Sequence, residues 1–125
     1  MEHSSNTDEI VRAYLESGGT DIYCDLIVPK KIVVEFVYDS DSVMAFEHTR
    51  QLAQYHYVVA PKKHVLDIND EFYETVQTEI LNAIRHVLSL IPYPEVGARV
   101  ESNLSAFQNS KHLHFHVLGG ESKSR

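Results

Sequence analysis

The chain has 125 residues, a hydrophobic fraction of 43% and a formal net charge of −7. This length suits a single domain, residues 1–125, with its own core, and the acidic charge argues against a protein that coats nucleic acid. The single cysteine, Cys24, cannot form an internal disulfide, and no apolar run approaches the roughly 20 residues that a membrane span needs. Because residues 1–8 also lack the pattern of a signal peptide, we expect a cytoplasmic protein.

The first half of the chain predicts one short helix and several strands. The helix covers residues 6–17, where Asn6 or Thr7 can cap it and Gly18 and Gly19 end it. The apolar segment 22–27 does not indicate whether it forms a helix or a strand. Runs rich in β-branched and aromatic residues predict strands at Ile32–Tyr38, at Val43–Phe46 and at Tyr57–Ala60, the last closed by Pro61.

The second half predicts one long helix from Asn69, as its N-cap, to Leu90. Apolar residues recur along it every four positions and indicate a core or dimer contact; they are Phe72, Val76, Ile80, Ile84 and Leu88. After Pro92 and Pro94, two strands are predicted at Ala98–Ser102 and Leu113–Leu118, with Gly119 and Gly120 ending the second and residues 121–125 frayed. Strands with helices to one side predict an α+β domain.

The segment His112–Leu118 carries the strongest chemical signal, because histidines alternate with apolar residues. In a strand, His112, His114 and His116 share one face, roughly 7 Å apart, while the apolar residues between them face the core. Two imidazoles at that separation can bracket one phosphorus, one attacking it and the other hydrogen-bonding what leaves. The spacing alone also fits a solvated strand face or a catalytic metal site.

His112–Leu118 resembles the signature of the histidine triad (HIT) family, and Gly119–Gly120 resembles its Hint-like branch of nucleoside phosphoramidases. Upstream, His56–His64 contains the Pro-Lys-Lys-His ending of that branch, and the whole resemblance covers about residues 21–120. It implies a HIT-like fold with a five-stranded antiparallel sheet. It also implies a homodimer in which ten strands are continuous.

The resemblance assigns the catalytic roles to four histidines. His114 would be the nucleophile, forming a nucleotidyl-histidine intermediate. His116 would contact the scissile phosphate or the leaving group, and His112 and His56 would form a hydrogen-bonded pair that orients the nucleophile. The implied nucleotide-binding residues are Asn103 and Asn109 for ribose or phosphate, His48 at the ribose position, and Ile22, Tyr23, Phe46 and Val58 around the base.

The sequence departs from the family pattern at three places. His48 stands where the family has an aspartate for the ribose hydroxyls, Asn109 replaces a phosphate-contacting serine in a shortened loop, and the tail after Gly120 is short.

Many bacterial relatives also have a structural zinc site that begins with Cys-x-x-Cys, which here is Asp21–Cys24. A mixed site of Asp21, Cys24, His64 and His112 is therefore an alternative to an inert Cys24, although we expect no required cofactor.

The sequence thus predicts a hydrolase that acts at the α-phosphorus of a purine nucleoside phosphoramidate or related nucleotide conjugate. Its partners would be a small nucleotide and a second copy of the chain, without nucleic acid or membrane. The alternatives are a non-catalytic nucleotide-binding or regulatory module, which His48 and Asn109 motivate, and a metal-dependent hydrolase built on the histidine cluster.

Overall fold

A computed structural model describes residues 5–48 and 51–122, and these residues form one five-stranded sheet. The strands are Phe36–Asp39 (β1), Val43–Glu47 (β2), Ala53–Pro61 (β3), Ala98–Ser102 (β4) and Phe115–Ser122 (β5). They lie in the order β1-β2-β3-β5-β4, and each neighbouring pair is antiparallel. The predicted α+β class and five-stranded antiparallel sheet are confirmed.

The helices connect and flank this sheet. The α-helices are Ser5–Glu16 (α1), Gln77–Leu88 (α2) and Tyr93–Val96 (α3); a π-helical turn spans Tyr23–Ile27, and 3₁₀ turns span Glu71–Thr75 and Ser105–Phe107. Within the two described stretches, no helix has the length and apolar character needed to cross a bilayer.

The predicted helix from Asn69 to Leu90 is wrong at its beginning. Asp70 takes the capping position instead of Asn69, because its carboxylate accepts hydrogen bonds from the backbone N–H groups of Phe72 and Leu66, both at 2.9 Å. The chain then makes a 3₁₀ turn before α2 begins at Gln77. Phe72 is 59% exposed as a result, so it lies outside the buried stripe of the helix.

Two predicted strands also differ from those observed. The strand predicted from Ile32 begins only at Phe36, because Ile32 is buried among side chains around Tyr23 instead of joining the sheet. The last strand begins at Phe115 and continues through both glycines to Ser122, which pairs with Ala53. The strand therefore does not end at Gly119–Gly120, and residues 123–125 of the predicted frayed tail lie outside the described residues.

The sheet has a hydrophobic core on each face. Helix α2 covers one face with Ile80, Ala83, Ile84 and Val87. The other face packs against the π-helical turn and α1, which contribute Tyr23, Leu26, Ile27, Ile10, Val11 and Tyr14. Side chains that alternate along β5 and the residues before it therefore enter different cores, which positions the histidines described next.

Candidate functional site

The alternating histidines lie on the sheet face opposite α2, as the sequence predicts. Leu113 and Val117 are buried in the core beneath α2. The His114 ring instead lies 5.3 Å from the Tyr23 ring, on the other face, and 5.0 Å from the His116 ring. His112 and His114 are buried and precede β5, whereas His116 is half-buried within it. The strand end and the turn before it thus bring the rings together.

His114 is held with one ring nitrogen available for attack. Its Nδ1–H donates to the backbone carbonyl of His112 at 2.8 Å. Since a carbonyl only accepts hydrogen bonds, the proton of the neutral ring lies on Nδ1 and the lone pair on Nε2. Burial lowers the pKa of His114 below its ordinary value of 6.5, and the neighbouring His112 acts in the same direction, against the effect of the carbonyl hydrogen bond. The ring is therefore neutral at neutral pH.

His56 and His116 form a hydrogen-bonded chain that fixes the tautomer of His116. The backbone N–H of Leu52 donates to His56 Nδ1 at 3.0 Å, so the proton of neutral His56 lies on Nε2. His56 Nε2–H then donates to His116 Nδ1 at 2.8 Å, which leaves the proton of neutral His116 on Nε2. Burial and nearby histidines lower the pKa of His56 to about 3 and that of His116 to about 4, so both rings are neutral near pH 7.

The predicted hydrogen bond between His112 and His56 is wrong, because His112 has other partners. Its Nε2–H donates to the backbone carbonyl of Pro61 at 2.7 Å, and its Nδ1 lies 3.0 Å from Asp21 Oδ2. His112 precedes β5, where the chain is directed towards Asp21, while His56 lies in β3, diagonally across from His116. His112 therefore orients the nucleophile through its own backbone carbonyl.

Asp21, Cys24, His64 and His112 are brought together on the far side of His112. One ligand atom from each lies within 4.8 Å of the others. Asp21 Oδ2 accepts from His64 Nδ1 at 2.7 Å, and Cys24 Sγ lies 3.5 Å from His112 Nδ1. Partial burial raises the pKa of Asp21, but the hydrogen bonds outweigh this effect and hold the pKa well below its usual range. The hydrogen bond from His112 contributes most to this decrease.

These four residues fit a divalent cation as well as a closed hydrogen-bond network. His112 donates Nε2–H to a carbonyl and directs Nδ1 into the cluster, as histidine ligands of protein-bound metals commonly do. A cation would replace the shared protons of His64 and His112. These four residues are therefore the ones that would hold a zinc ion.

His48, His56 and His116 also bring ligand atoms within 4.8 Å of one another. The rings of His48 and His56 are stacked, 4.3 Å apart and 11° from parallel. Both nitrogens of His56 are already hydrogen-bonded. A metal at this second cluster would have to tilt the stacked rings and break the hydrogen bond from His56 to His116. The geometry of these three histidines therefore favours a hydrogen-bonded group over a metal site.

A cavity of about 450 Å³ lies beside the histidines. It is lined by every residue predicted to surround the base and by the predicted ribose residue, namely Ile22, Tyr23, Phe46, Val58 and His48. The volume is in the range of small-ligand sites, and the lining is mainly apolar. The cavity adjoins the reactive rings, because Tyr23 lies 5.3 Å from His114 and His48 lies 5.7 Å from His116.

The two predicted asparagines lie in the loop that connects β4 to the histidines. Asn103 is half-buried and follows Ser102, whose hydroxyl donates to the His114 carbonyl at 2.8 Å. Asn103 is therefore at the triad end of the sheet. Asn109 is exposed.

Several groups that support the site could not be identified from the sequence. Asp21 was considered only as a metal ligand, and the backbone groups of Pro61 and Leu52 carry no residue-type signal. The sequence predicts a helix at α1, but nothing in it indicates that the helix forms a wall of the cavity. These contacts depend on pairings between distant segments.

Comparisons with known proteins show which family the chain resembles. The family model described as "HIT domain" matches residues 29–123. An uncharacterized HIT-like protein of Rickettsia prowazekii is 27% identical over 104 residues, covering 76% of this chain and 83% of its own. A bifunctional adenosine 5'-phosphosulfate phosphorylase/adenylylsulfatase of Arabidopsis thaliana is 29% identical over 103 residues, covering 78% of this chain and 68% of its own.

Solved structures show the same fold. A HIT family hydrolase from Legionella pneumophila Philadelphia 1 matches with a TM-score of 0.71 and 27% identity, over 83% of this chain and 96% of that one. A histidine triad protein from Clostridium difficile matches with a TM-score of 0.68 and 29% identity, over 84% of this chain and 94% of that one. The family model spans most of the chain and includes all the triad histidines, and the chain therefore belongs to the HIT domain family.

Proposed function

We propose that this protein hydrolyses the bond at the α-phosphorus of a purine nucleoside phosphoramidate or a related nucleotide conjugate, through a covalent intermediate on His114. One observation carries the proposal: the lone pair on His114 Nε2 and the N–H on His116 Nε2 belong to rings only 5.0 Å apart. A nucleophile and a hydrogen-bond donor side by side suit displacement at a phosphoryl centre.

The reaction proceeds in two displacements. In the first, His114 Nε2 forms a bond to the α-phosphorus, the bond from phosphorus to the leaving amine breaks, and the amine takes up a proton from water. The His116 N–H donates a hydrogen bond to the reacting group, and the His112 carbonyl stabilises the charge that the His114 ring acquires. In the second, water attacks phosphorus, its proton returns to solvent, and His114 leaves with its lone pair.

The named activity of the Arabidopsis relative supports this class of substrate. Its name describes enzymes of adenosine 5'-phosphosulfate, in which an adenylyl group is joined through phosphorus to a leaving group. The mainly apolar cavity beside Tyr23 suits the purine of such a compound, with the phosphate at the histidines. The leaving group distinguishes a phosphoramidate from a phosphosulfate, and we propose the former as the first substrate to assay.

No metal is required in this mechanism, because the chain supplies both the nucleophile and the hydrogen-bond donor. A cation bound by Asp21, Cys24, His64 and His112 would have a structural role, tying the segment before the π-helical turn to the start of the triad. The assay below separates this mechanism from a metal-dependent hydrolase.

The direct test is incubation of the purified protein with adenosine 5'-phosphoramidate in the presence of a strong chelator. We expect AMP to be released, because the reacting groups come from the chain itself. Activity that disappears with the chelator and returns with a divalent cation would contradict this mechanism. The alternative of a non-catalytic nucleotide-binding module predicts that calorimetry detects AMP binding while no turnover occurs.

We further propose a homodimer formed through the free edge of β4. Helix α2 lies over β1, β2, β3 and β5. Val100 pairs with Val117 and so faces the same side as α2, yet it is 42% exposed. An edge strand with an uncovered apolar residue is suited to pair with a second copy, which would give a continuous sheet of ten strands.

Substitution Val100→Glu is expected to convert the dimer to a monomer, because it places a charge in the proposed interface. Light scattering after size-exclusion chromatography measures the mass. The matched control is Val33→Glu, since Val33 is 80% exposed and lies before β1, away from the β4 edge. A wild-type protein that is monomeric at micromolar concentration would contradict the proposal.

We also assign the protein to the cytoplasm, where a free thiol persists. Burial and the nearby Asp21 raise the pKa of Cys24 to about 11, so the thiol is unreactive.

A further inference from the structure

Helix α1 forms a charged wall of a cavity that is otherwise mainly apolar. Asp8, Arg12 and Glu16 all line it, and their spacing of four residues places them on one face of the helix. The same helix also contributes Thr7 and the apolar residues Val11 and Leu15, and the remaining lining comes from the body of the protein, where His48 lies beside the reactive histidines. The cavity therefore combines a mainly apolar lining with a histidine near the triad and with charged side chains on α1.

This wall lies outside the part of the chain that the HIT family model matches. The match begins at residue 29, whereas α1 ends at Glu16.

The wall is held in a defined orientation by Tyr14. The Tyr14 hydroxyl donates to Asp25 at 2.6 Å and accepts from the backbone N–H of Asp21 at 2.7 Å. The ring packs directly on Gly19, where an added Cβ would lie only 2.2 Å from a ring carbon. Since Asp21 also contacts His112, the helix is connected through two hydrogen bonds to the residue that orients His114.

Arg12 is the cation on this wall. Within the described part of the chain, no hydrogen bond or ion pair engages its side chain, although acidic residues stand one turn away on each side. Its guanidinium is therefore available to a ligand. A guanidinium offers only donors, in a planar fork that matches two adjacent acceptors.

We propose that α1 selects the base of the nucleotide and that Arg12 favours guanine over adenine. This inference rests on the proposed function. With the phosphate at His114 and the base in the apolar part of the cavity, the polar edge of the base is the part left to meet α1. Guanine presents two adjacent acceptors, O6 and N7, whereas adenine presents N7 beside an amino donor, which a guanidinium cannot satisfy. Arg12 thereby discriminates between the two purines.

The test is calorimetric binding of GMP and AMP to the full-length wild-type protein and to Arg12→Met. We expect the wild type to bind GMP about tenfold more tightly than AMP, which corresponds to one well-formed bidentate contact. Arg12→Met should abolish that ratio by weakening GMP alone. Methionine has nearly the helix propensity of arginine, so the substitution should leave α1 intact, and circular dichroism checks this.

Two further variants make the test specific. Arg85→Met, on the exposed side of α2, removes a like charge outside the cavity and should leave the ratio unchanged. Arg12→Lys keeps the charge but not the fork, and should retain only part of the preference.

Each contrary result has a distinct meaning. If Arg12→Met weakens GMP and AMP equally, Arg12 binds the phosphate, and the proposed base selection is wrong. It is also wrong if the wild type shows no preference for GMP. If the wild type binds neither nucleotide, both the base selection and the proposed function fail.

Discussion

Substitution His114→Asn is expected to reduce the turnover of adenosine 5'-phosphoramidate by at least about 10³-fold, because it removes the attacking nitrogen. The asparagine amide can still donate to the His112 carbonyl, which now accepts from His114 Nδ1 at 2.8 Å. The neighbouring backbone should therefore stay in place, and AMP should bind with nearly unchanged affinity. Steady-state kinetics and calorimetry on the same preparation measure the two quantities.

The pH profile tests the same role without a substitution. Attack needs the lone pair on Nε2, so protonation of His114 stops the reaction. Because burial lowers the pKa of His114 below 6.5, the acid-side decrease of kcat/KM should lie at a lower pH than it would for a histidine with the ordinary pKa of 6.5. Any residual activity of His114→Asn should lack this acid-side decrease.

His86→Asn is the matched control for the substitution. His86 is an exposed histidine of α2, on the opposite face of the sheet, and turnover should be unaffected. Wild-type turnover by His114→Asn would show that another group attacks phosphorus. A variant that loses AMP binding together with activity would indicate that His114 mainly positions the ligand.

The sheet and the histidine face were predictable because each depends on a local pattern. The run Ala98–Ser102 appears unchanged as β4, and Val43–Phe46 lies within β2. Alternation between histidine and apolar residues correctly separates the two faces around Leu113 and Val117. Local patterns of this kind reflect side-chain direction, which the backbone fixes.

Pairings between distant segments were not predictable in the same way. The partner of His56 depends on the register between β3 and β5, in which Val58 lies opposite His116. The register is set by the pairing of the whole sheet and not by the residues near His56. The resemblance therefore implied the wrong hydrogen-bond partner for His56, namely His112 instead of His116. Likewise, Asp70 replaces Asn69 as the cap because its carboxylate reaches two backbone N–H groups, a choice that the sequence does not distinguish.

The cavity proposed for the base contains both residues that were predicted and residues that were not. The residues Ile22, Tyr23, Phe46 and Val58 were predicted from the resemblance, and the structure brings them together in one cavity. The position of Arg12 in the cavity lining was not predicted, because the residues that begin and end a helix do not indicate which surface the helix covers. The residues that the resemblance names could therefore be predicted, whereas the position of α1 beside the cavity needed the structure.

Substitution His56→Leu is expected to reduce kcat by about 10²-fold while AMP affinity changes little, although His56 would not touch the substrate. The Leu52 N–H donates to His56 Nδ1, so the proton of neutral His56 lies on Nε2. His56 Nε2–H donates in turn to His116 Nδ1, which keeps the proton of His116 on Nε2, where it can donate to the reacting group. Leucine fills a similar volume but can neither accept from Leu52 nor donate to His116. The His116 ring then loses its orientation when the leaving group needs a donor, whereas the bound product does not depend on it.

A conservative variant distinguishes this positioning role from a loss of packing. His56 is fully buried, so His56→Leu also leaves polar groups unpaired and should lower the free energy of unfolding by about 1–3 kcal/mol. His56→Gln keeps a side-chain N–H donor and should recover at least part of kcat. Equal kcat for the leucine and glutamine variants would contradict the positioning role of His56. A decrease in AMP affinity as large as the decrease in kcat would also contradict it, because a residue that only orients His116 affects the chemical step and not binding.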